Sequence, residues 1–255
     1  MSPIRKVTAV ALIPARSGSK RVADKNIRLL QDHPLLAYSI CAARESGVFD
    51  AVVLCTDSTR YADIGRHYGA EVPFLRPAEI SGSTSPDIEW VEMALATLAE
   101  QGRRFDAFSI LRPTSPFRKG ATIRRAWDRF VAAGDRVDSL RAVEKCAQHP
   151  GKMWIVRGNR MLPLLPMSPE GQPYHSSQYA ALPPVYVQNA SLEIAWTRVV
   201  TDTRTIAGET LMPFFTEGDE GVDINTAEDW FFAEHLLAQG EARLPTVDRS
   251  PYFSI

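Results

Sequence analysis

The stretch IPARSGSKRVADKN, residues 13–26, places Arg16, Lys20, Arg21 and Lys25 within ten residues and interleaves them with Ser17, Gly18 and Ser19. Cations and small residues on one loop can turn side-chain charge and backbone N–H groups toward a single anion, which is what holding a phosphate requires. The GxxxxGKS/T spacing of a Walker A loop is absent, and so is GxGxxG. A second segment, LRPTSPFR at 111–118, brackets Thr114 and Ser115 with two prolines that stiffen the backbone and adds the cations Arg112 and Arg118. A third, GVDINTAEDW at 221–230, sets Asp223 two residues from Asn225. On extended backbone both side chains point the same way. A carboxylate and an amide oxygen, completed by water and phosphate oxygens, suit Mg²⁺. The same segment also reads as a helix start, with Asn225 or Thr226 as cap and Glu228 and Asp229 complementing the helix dipole.

Weaker signals accompany these. TDS at 56–58 offers Asp57, which a helix N-cap explains equally well. Among five histidines, His175 stands beside Tyr174, Ser176, Gln178 and Tyr179, neutral polar groups suited to a polyhydroxylated ligand. Asn189, Ser191 and Glu193 alternate on an expected strand, so one face can present all three. Arg112 is the cation available for a ligand carboxylate.

The elements that must position these residues follow from hydrophobic period and end signals. Val7–Ile13 is a run dominated by apolar residues, several of them β-branched, of the kind buried on both faces of a parallel sheet. Helices are expected over Pro34–Ser46, Ser58–Tyr68, from Ser85-Pro86 to Leu98, over Ala121–Ala133 and over Thr226–Leu237, with Gly47 and Gly69 as stops. Strands are expected at Ala51–Cys55, Glu71–Leu75, Phe105–Leu111, Val137–Val143, Met153–Val156, Ser191–Trp196 and Leu211–Phe215. This alternation predicts an α/β fold with a mostly parallel, doubly wound, Rossmann-like sheet. Ligands of such sheets bind beyond the carboxyl ends of strands, where the cationic loops fall. Residues 145–188 change character, being rich in Pro, Gly, Met and Tyr, and read as an inserted flap between core segments 1–144 and 189–255. Met161, Leu162, Leu164, Leu165 and Met167 give that flap an apolar surface of the kind that marks interfaces.

The totals exclude several classes. With 255 residues, 45% hydrophobic and 23% charged, the chain is an ordinary globular one. A net charge of −1 gives no global field toward nucleic acid or anionic lipid. Cys41, Cys55 and Cys146 are too few and too widely spaced for a disulfide framework or a zinc site, and fit reduced thiols in the cytoplasm. No apolar run approaches the ~20 residues that span a membrane.

Taken together, the segments resemble the acylneuraminate cytidylyltransferases, the CMP-sialic acid synthetases, over roughly residues 7–232. IPAR-x-GSK followed by KN carries the resemblance, at Ile13–Lys20 and Lys25–Asn26, and RPAEIS at 76–81, PTSPFR and VDINTAEDW support it in the family's order. The resemblance implies a nucleotidyltransferase core, CTP as donor, a nonulosonic keto-sugar acid as acceptor, Mg²⁺, and release of pyrophosphate. It implies Arg16, Lys20 and Asp223 as the catalytic set, and Ala15, Arg16, Gly18, Ser19, Lys20, Lys25, Asn26, Arg76 and Ser85 around CTP. Arg112, Thr114, Ser115, His175, Gln178, Tyr179, Asn189 and Glu193 would meet the sugar, and Asp223 with Asn225 the metal. It further implies a homodimer formed through the flap. Arg112 stands where the family usually carries Gln, and Asn225 where it often carries a second Asp. Three other readings stay open: a cytidylyltransferase for the eight-carbon acid Kdo, a nucleotide-sugar glycosyltransferase, and a non-catalytic nucleotide or sugar-binding module.

Overall fold

The computed structural model of the chain describes residues 6–19, 21–165 and 172–252. Lys20 and Met167 lie outside them. The chain divides into two compact units, Met1–Ala142 with Asn189–Ile255, and Val143–Gln188.

The larger unit is built on a six-stranded sheet whose strands lie in the order β10 (Leu211–Phe215), β6 (Ser139–Lys145), β9 (Tyr186–Trp196), β5 (Ala107–Ile110), β1 (Ala9–Pro14) and β4 (Ala51–Cys55). Strand β1 lies between the edge strand β4 and β5, both parallel to it. Side chains of β1 alternate between two cores, as a period of two demands. Ala9, Ala11 and Ile13 face a cluster with Leu36, Ile40, Ile64, Ile123 and Phe130, whereas Val10 and Leu12 face one with Trp90, Val91, Leu98 and Val200. The first core is supplied by α1 (Leu35–Ser46), α2 (Thr59–His67) and α4 (Gly120–Ala133), the second by α3 (Asp87–Glu100) and α5 (Arg198–Thr203). This two-sided burial is why β1 reads as an unbroken apolar run. A third cluster packs Ile224, Trp230 and Ala233, at and within α6 (Ala227–Gln239), against Leu35, Tyr38 and Phe117. The two-residue strands β2 (Leu29–Leu30) and β3 (His33–Pro34) form a small ribbon leading into α1.

On the other side of β5 the sheet departs from simple winding. β9 (Tyr186–Trp196) runs antiparallel to β5 and enters between it and β6 (Ser139–Lys145), with β10 (Leu211–Phe215) at the edge. The expected strand Glu71–Leu75 reduces to one bridge, Glu71 to Val53. Pro73 has no N–H with which to extend that ladder. Helix α5 is too short to show a period and is not legible in the sequence.

The smaller unit contains the hairpin of β7 (Trp154–Arg157) and β8 (Arg160–Pro163). His149 organises its start: Nδ1 accepts from Gly151 N–H at 2.9 Å, and Nε2 donates to Pro183 O at 2.9 Å. Trp154, Ile155, Val156, Met161, Leu162, Leu164 and Leu165 are exposed.

Candidate active site

A cleft of about 380 Å³ opens beyond the carboxyl ends of β1, β4 and β5. The sheet order puts these three strands side by side, so the segments that follow them converge although they are distant in sequence. Arg16, Ser19, Lys25 and Asn26 line it from the loop after β1, Arg76 and Ser85 from the segment before α3, Arg112 and Thr114 from the loop after β5, and Asp223 and Asn225 from the approach to α6. Pro14, Gly82, Ser83, Asp87, Trp90, Pro113 and Ala190 complete the lining. Among the described residues this gives four cations to two carboxylates, an excess suited to a polyanion.

The loop after β1 is held by its neighbours. Ala15 N–H donates to Cys55 O at 3.0 Å, continuing the β1–β4 ladder past the strand end. Ser17 donates its N–H to Asp57 Oδ1 at 2.7 Å and its hydroxyl to Asp57 Oδ2 at 2.9 Å. Gly18 turns with φ of 71°, a left-handed conformation glycine adopts without steric cost. Asn26 Nδ2 donates to Arg16 O at 3.1 Å. Lys25 reaches across the cleft and donates to Ile224 O at 2.7 Å, joining the loop to the Asp223 segment. Burial lowers the pKa of the Lys25 ammonium, assisted by Arg21 and Arg16 and opposed by Asp223 and Asp229.

At the other end, Arg76 is buried with its guanidinium 5.4 Å from the Trp90 ring centroid, a cation–π placement, and donates to Ile80 O at 2.6 Å. Burial, above all, lowers its pKa too. Trp90 donates Nε1–H to Asp87 Oδ1 at 2.8 Å.

Arg112 corrects an expectation. It is no free cation, because Nη2 donates to Asp87 Oδ2 at 2.5 Å and Glu193 Oε1 at 3.0 Å. Glu193, expected at the sugar, is instead buried and also paired with Arg141. The alternation of Asn189, Ser191 and Glu193 along β9 could not show which charges Glu193 meets. Burial pushes the Asp87 carboxyl up, yet the Arg112 guanidinium and the Trp90 hydrogen bond more than offset this and hold it below the usual carboxylate range.

At Asp223, Oδ1 is buried without a hydrogen-bond partner among the described residues, and Oδ2 accepts from Asn225 Nδ2. A carboxylate only accepts, so the amide must turn its nitrogen toward it. Asn225 is therefore bound to Asp223 and does not set a second oxygen beside it. Thr226, not Asn225, caps α6: its hydroxyl accepts from Asp229 N–H at 3.3 Å, while Asp229 accepts from the N–H groups of Asn225 and Thr226, both at 2.8 Å.

Several predicted site residues fall outside the lining. Ala15 is buried, Gly18 is exposed, and Ser115 is buried with its hydroxyl unpartnered among the described residues. Asn189 donates its amide to Thr216 at 2.9 Å. His175, Gln178 and Tyr179 belong to the smaller unit, where the His175 ring lies tilted against Trp154 with centroids 4.7 Å apart and Tyr179 donates to Ala147 O at 2.7 Å. Conversely, Asp87, Arg141 and the Asp57 contact to Ser17 carry no local sequence signal, since each depends on a partner far along the chain.

Arg118 holds the rim from behind. It is fully buried, donates to the carbonyls of Arg112 and Ser191 and to Ser39 Oγ, and has no carboxylate partner among the described residues. Burial lowers its guanidinium to about 9.

Residues 10–104 match the family model described as cytidylyltransferase. The CMP-N,N'-diacetyllegionaminic acid synthase of Legionella pneumophila is 34% identical over 238 residues, 92% of this chain and 98% of that protein. The N-acylneuraminate cytidylyltransferase of Escherichia coli is 42% identical over 46% of this chain and 27% of its own length. The pseudaminic acid cytidylyltransferase of Campylobacter jejuni is 34% identical over 48% and 53%. In fold, the chain is similar to a CMP-2-keto-3-deoxy-manno-octonic acid synthetase complexed with CTP, at TM-score 0.65 and 13% identity over 91% of this chain and 99% of the other. It is also similar to a 4-diphosphocytidyl-2C-methyl-D-erythritol synthase from Anaerococcus prevotii, at 0.61 and 14% over 92% and 100%.

Proposed function

Since the chain belongs to the acylneuraminate cytidylyltransferase family, we propose that its cleft binds CTP and transfers CMP to the anomeric hydroxyl of a nonulosonic, sialic-acid-like sugar acid, releasing pyrophosphate. The observation that carries this reading is the convergence of Arg16, Lys25, Arg76 and Arg112 with Asp223 in one cleft at the carboxyl edge of the sheet. Arg16 and Lys25 neutralise triphosphate charge, and Lys20 from the same loop is assigned with them by its sequence position. Arg76 and Ser85 lie at the end suited to the nucleoside. Thr114 faces the acceptor, with Arg112 held at the acceptor end by Asp87 and Glu193. The reaction is an in-line displacement at the α-phosphorus, and most of its acceleration comes from positioning and charge neutralisation.

Mg²⁺ fits the residues present. Among the described residues, Asp223 Oδ1 is a buried hard oxygen without a hydrogen-bond partner, and no group of three or more His, Cys, Asp or Glu able to hold a metal exists. A cation here would need phosphate oxygens and water to complete its shell, as Mg²⁺ bound through one or two carboxylates does. When bound it supplies charge stabilisation on the phosphates. Asn225 serves by orienting Asp223. We further propose a homodimer through the exposed apolar face of the smaller unit, and a cytoplasmic location consistent with three free cysteines. No helix among the described residues is long and apolar enough to cross a membrane.

The test is to supply CTP and Mg²⁺ with one keto-sugar acid at a time, legionaminic, pseudaminic, N-acetylneuraminic and Kdo, and follow pyrophosphate and the mass of the CMP-sugar. Product with a nine-carbon acid is expected. Turnover with Kdo alone would reassign the acceptor, and absence of CTP binding would remove the reading.

A further inference from the structure

Asp57 does not line the cleft, yet its carboxylate accepts both donors of Ser17, the N–H at 2.7 Å and the hydroxyl at 2.9 Å. Four residues on, in the first turn of α2, buried Tyr61 donates its hydroxyl to Asp24 Oδ1 at 3.1 Å. Asp24 sits in left-handed backbone with φ of 48°, uncommon for a residue other than glycine, immediately before Lys25 and Asn26. The β4–α2 corner therefore grips the cationic loop at both of its limbs. Within that grip, the peptide joining Arg16 to Ser17 is fixed on both sides, its carbonyl by Asn26 at 3.1 Å and its N–H by Asp57 at 2.7 Å. The direction in which Arg16 leaves the backbone follows from that peptide plane.

The sign of the charge makes this informative. A carboxylate behind a loop that receives a triphosphate repels the ligand. Its direct effect on the ligand is thus unfavourable, so a favourable contribution comes through the groups it holds: Ser17 by geometry, and the Arg76 cation, which its charge supports. A neutral amide of the same shape can accept from Ser17 N–H and donate to Ser17 Oγ, keeping the geometry without the charge.

We propose that Asp57 is a positioning residue for nucleotidyl transfer, orienting Arg16 and the Gly18–Ser19 turn toward the triphosphate, with Tyr61 on Asp24 as the second point of the clamp. This rests on the CTP-binding reading of the cleft. The experiment compares wild type, Asp57→Ala, Asp57→Asn, Ser17→Ala and the double variant Asp57→Ala/Ser17→Ala by calorimetric CTP titration, pyrophosphate-release kinetics and thermal melting. Asp57→Ala is expected to lower kcat/KM for CTP by about 10–100-fold, the scale on which misplacement of a positioning group is felt. Asp57→Asn should stay within about threefold and bind CTP at least as tightly as wild type, because it keeps both hydrogen bonds and removes the repulsion. The double variant should match Asp57→Ala, since the two residues act as one unit.

Asp57→Asn as impaired as Asp57→Ala would mean that the charge itself acts, on metal, substrate or the Arg76 cation, and would overturn the positioning role. So would a wild-type kcat/KM in Asp57→Ala. If Asp57→Ala does not fold, Ser17→Ala decides: a loss of about 3–10-fold at unchanged melting temperature supports the clamp, and no loss overturns it. Wild type in the same titration tests the underlying reading separately. Absent CTP binding by wild type removes that reading, whereas wild-type turnover with indifferent Asp57 and Ser17 variants removes the clamp alone.

Discussion

Replacing Lys25 tests the tie between the two halves of the cleft. Its ammonium donates to Ile224 O at 2.7 Å, across 199 residues of sequence, and in the proposed complex faces the triphosphate. Losing a hydrogen bond from a charged donor costs about 1.5–3 kcal/mol. Losing one positive charge about 4 Å from a phosphate costs up to about 4 kcal/mol at an effective dielectric near 20, before water and counterions compensate. Half-buried Lys25 is partly screened, so the two contributions together should come to about 2–4 kcal/mol, or roughly 30–1000-fold in kcat/KM for CTP. Lys25→Ala removes both; Lys25→Gln keeps a donor for Ile224 O and removes only the charge. Calorimetric CTP affinity and pyrophosphate-release kinetics, with thermal melts to establish folding, separate them, and Lys25→Gln should fall between wild type and Lys25→Ala. Burial lowers the Lys25 pKa beneath its ordinary 10.5, so the cation is lost earlier on the alkaline side. CTP affinity should be full below that lowered pKa and decline as pH rises through it, and Lys25→Gln should lack that decline. Folded variants that both bind CTP within about threefold of wild type would refute the argument, because they would leave no room for either contribution.

Asp223→Ala should lose nearly all turnover and most of the Mg²⁺ dependence of CTP binding while melting near wild type, a loss of roughly 10²–10³-fold by analogy with removal of one charge-stabilising contact; metal-dependent turnover in the folded variant would remove the ligand assignment. Arg118→Met should destabilise the fold by about 2–4 kcal/mol in denaturant titration, since two carbonyls and Ser39 lose a buried charged donor, and a change under about 0.5 kcal/mol would contradict its role behind the rim. Asp87 and Asp229 both titrate below their ordinary 3.8 in the fold, so the stability they contribute is present above 3.8 and lost as pH falls through the lowered values. Removing either, as Asp87→Asn or Asp229→Asn, should flatten acid denaturation in that window, and an unchanged acid limb in both would refute the shifts.

Much of this protein is written locally. The two-faced burial of β1 is visible as an unbroken apolar run, and the capping box of Thr226 and Asp229 lies within four residues. The cationic loop after β1 and the motif order that marks the family need no coordinates either, because hydrophobic period, caps and turn residues act over a few residues. What the site residues do to one another was settled only in three dimensions. Asp57 and Ser58 both read as caps of α2 until Ser17, 40 residues away, is found on the Asp57 carboxylate, which leaves the capping to Ser58. Arg112 reads as a free cation until β9 enters antiparallel beside β5 and brings Glu193 to it, 81 residues distant, with Asp87 on its other side. Lys25 reads as one more loop charge until Ile224 O is seen to fix it. Local pattern selects elements because backbone hydrogen bonds and side-chain periodicity are short-ranged. Charge pairing depends on which strand ends the sheet brings side by side, and that is decided by the packing of the whole core.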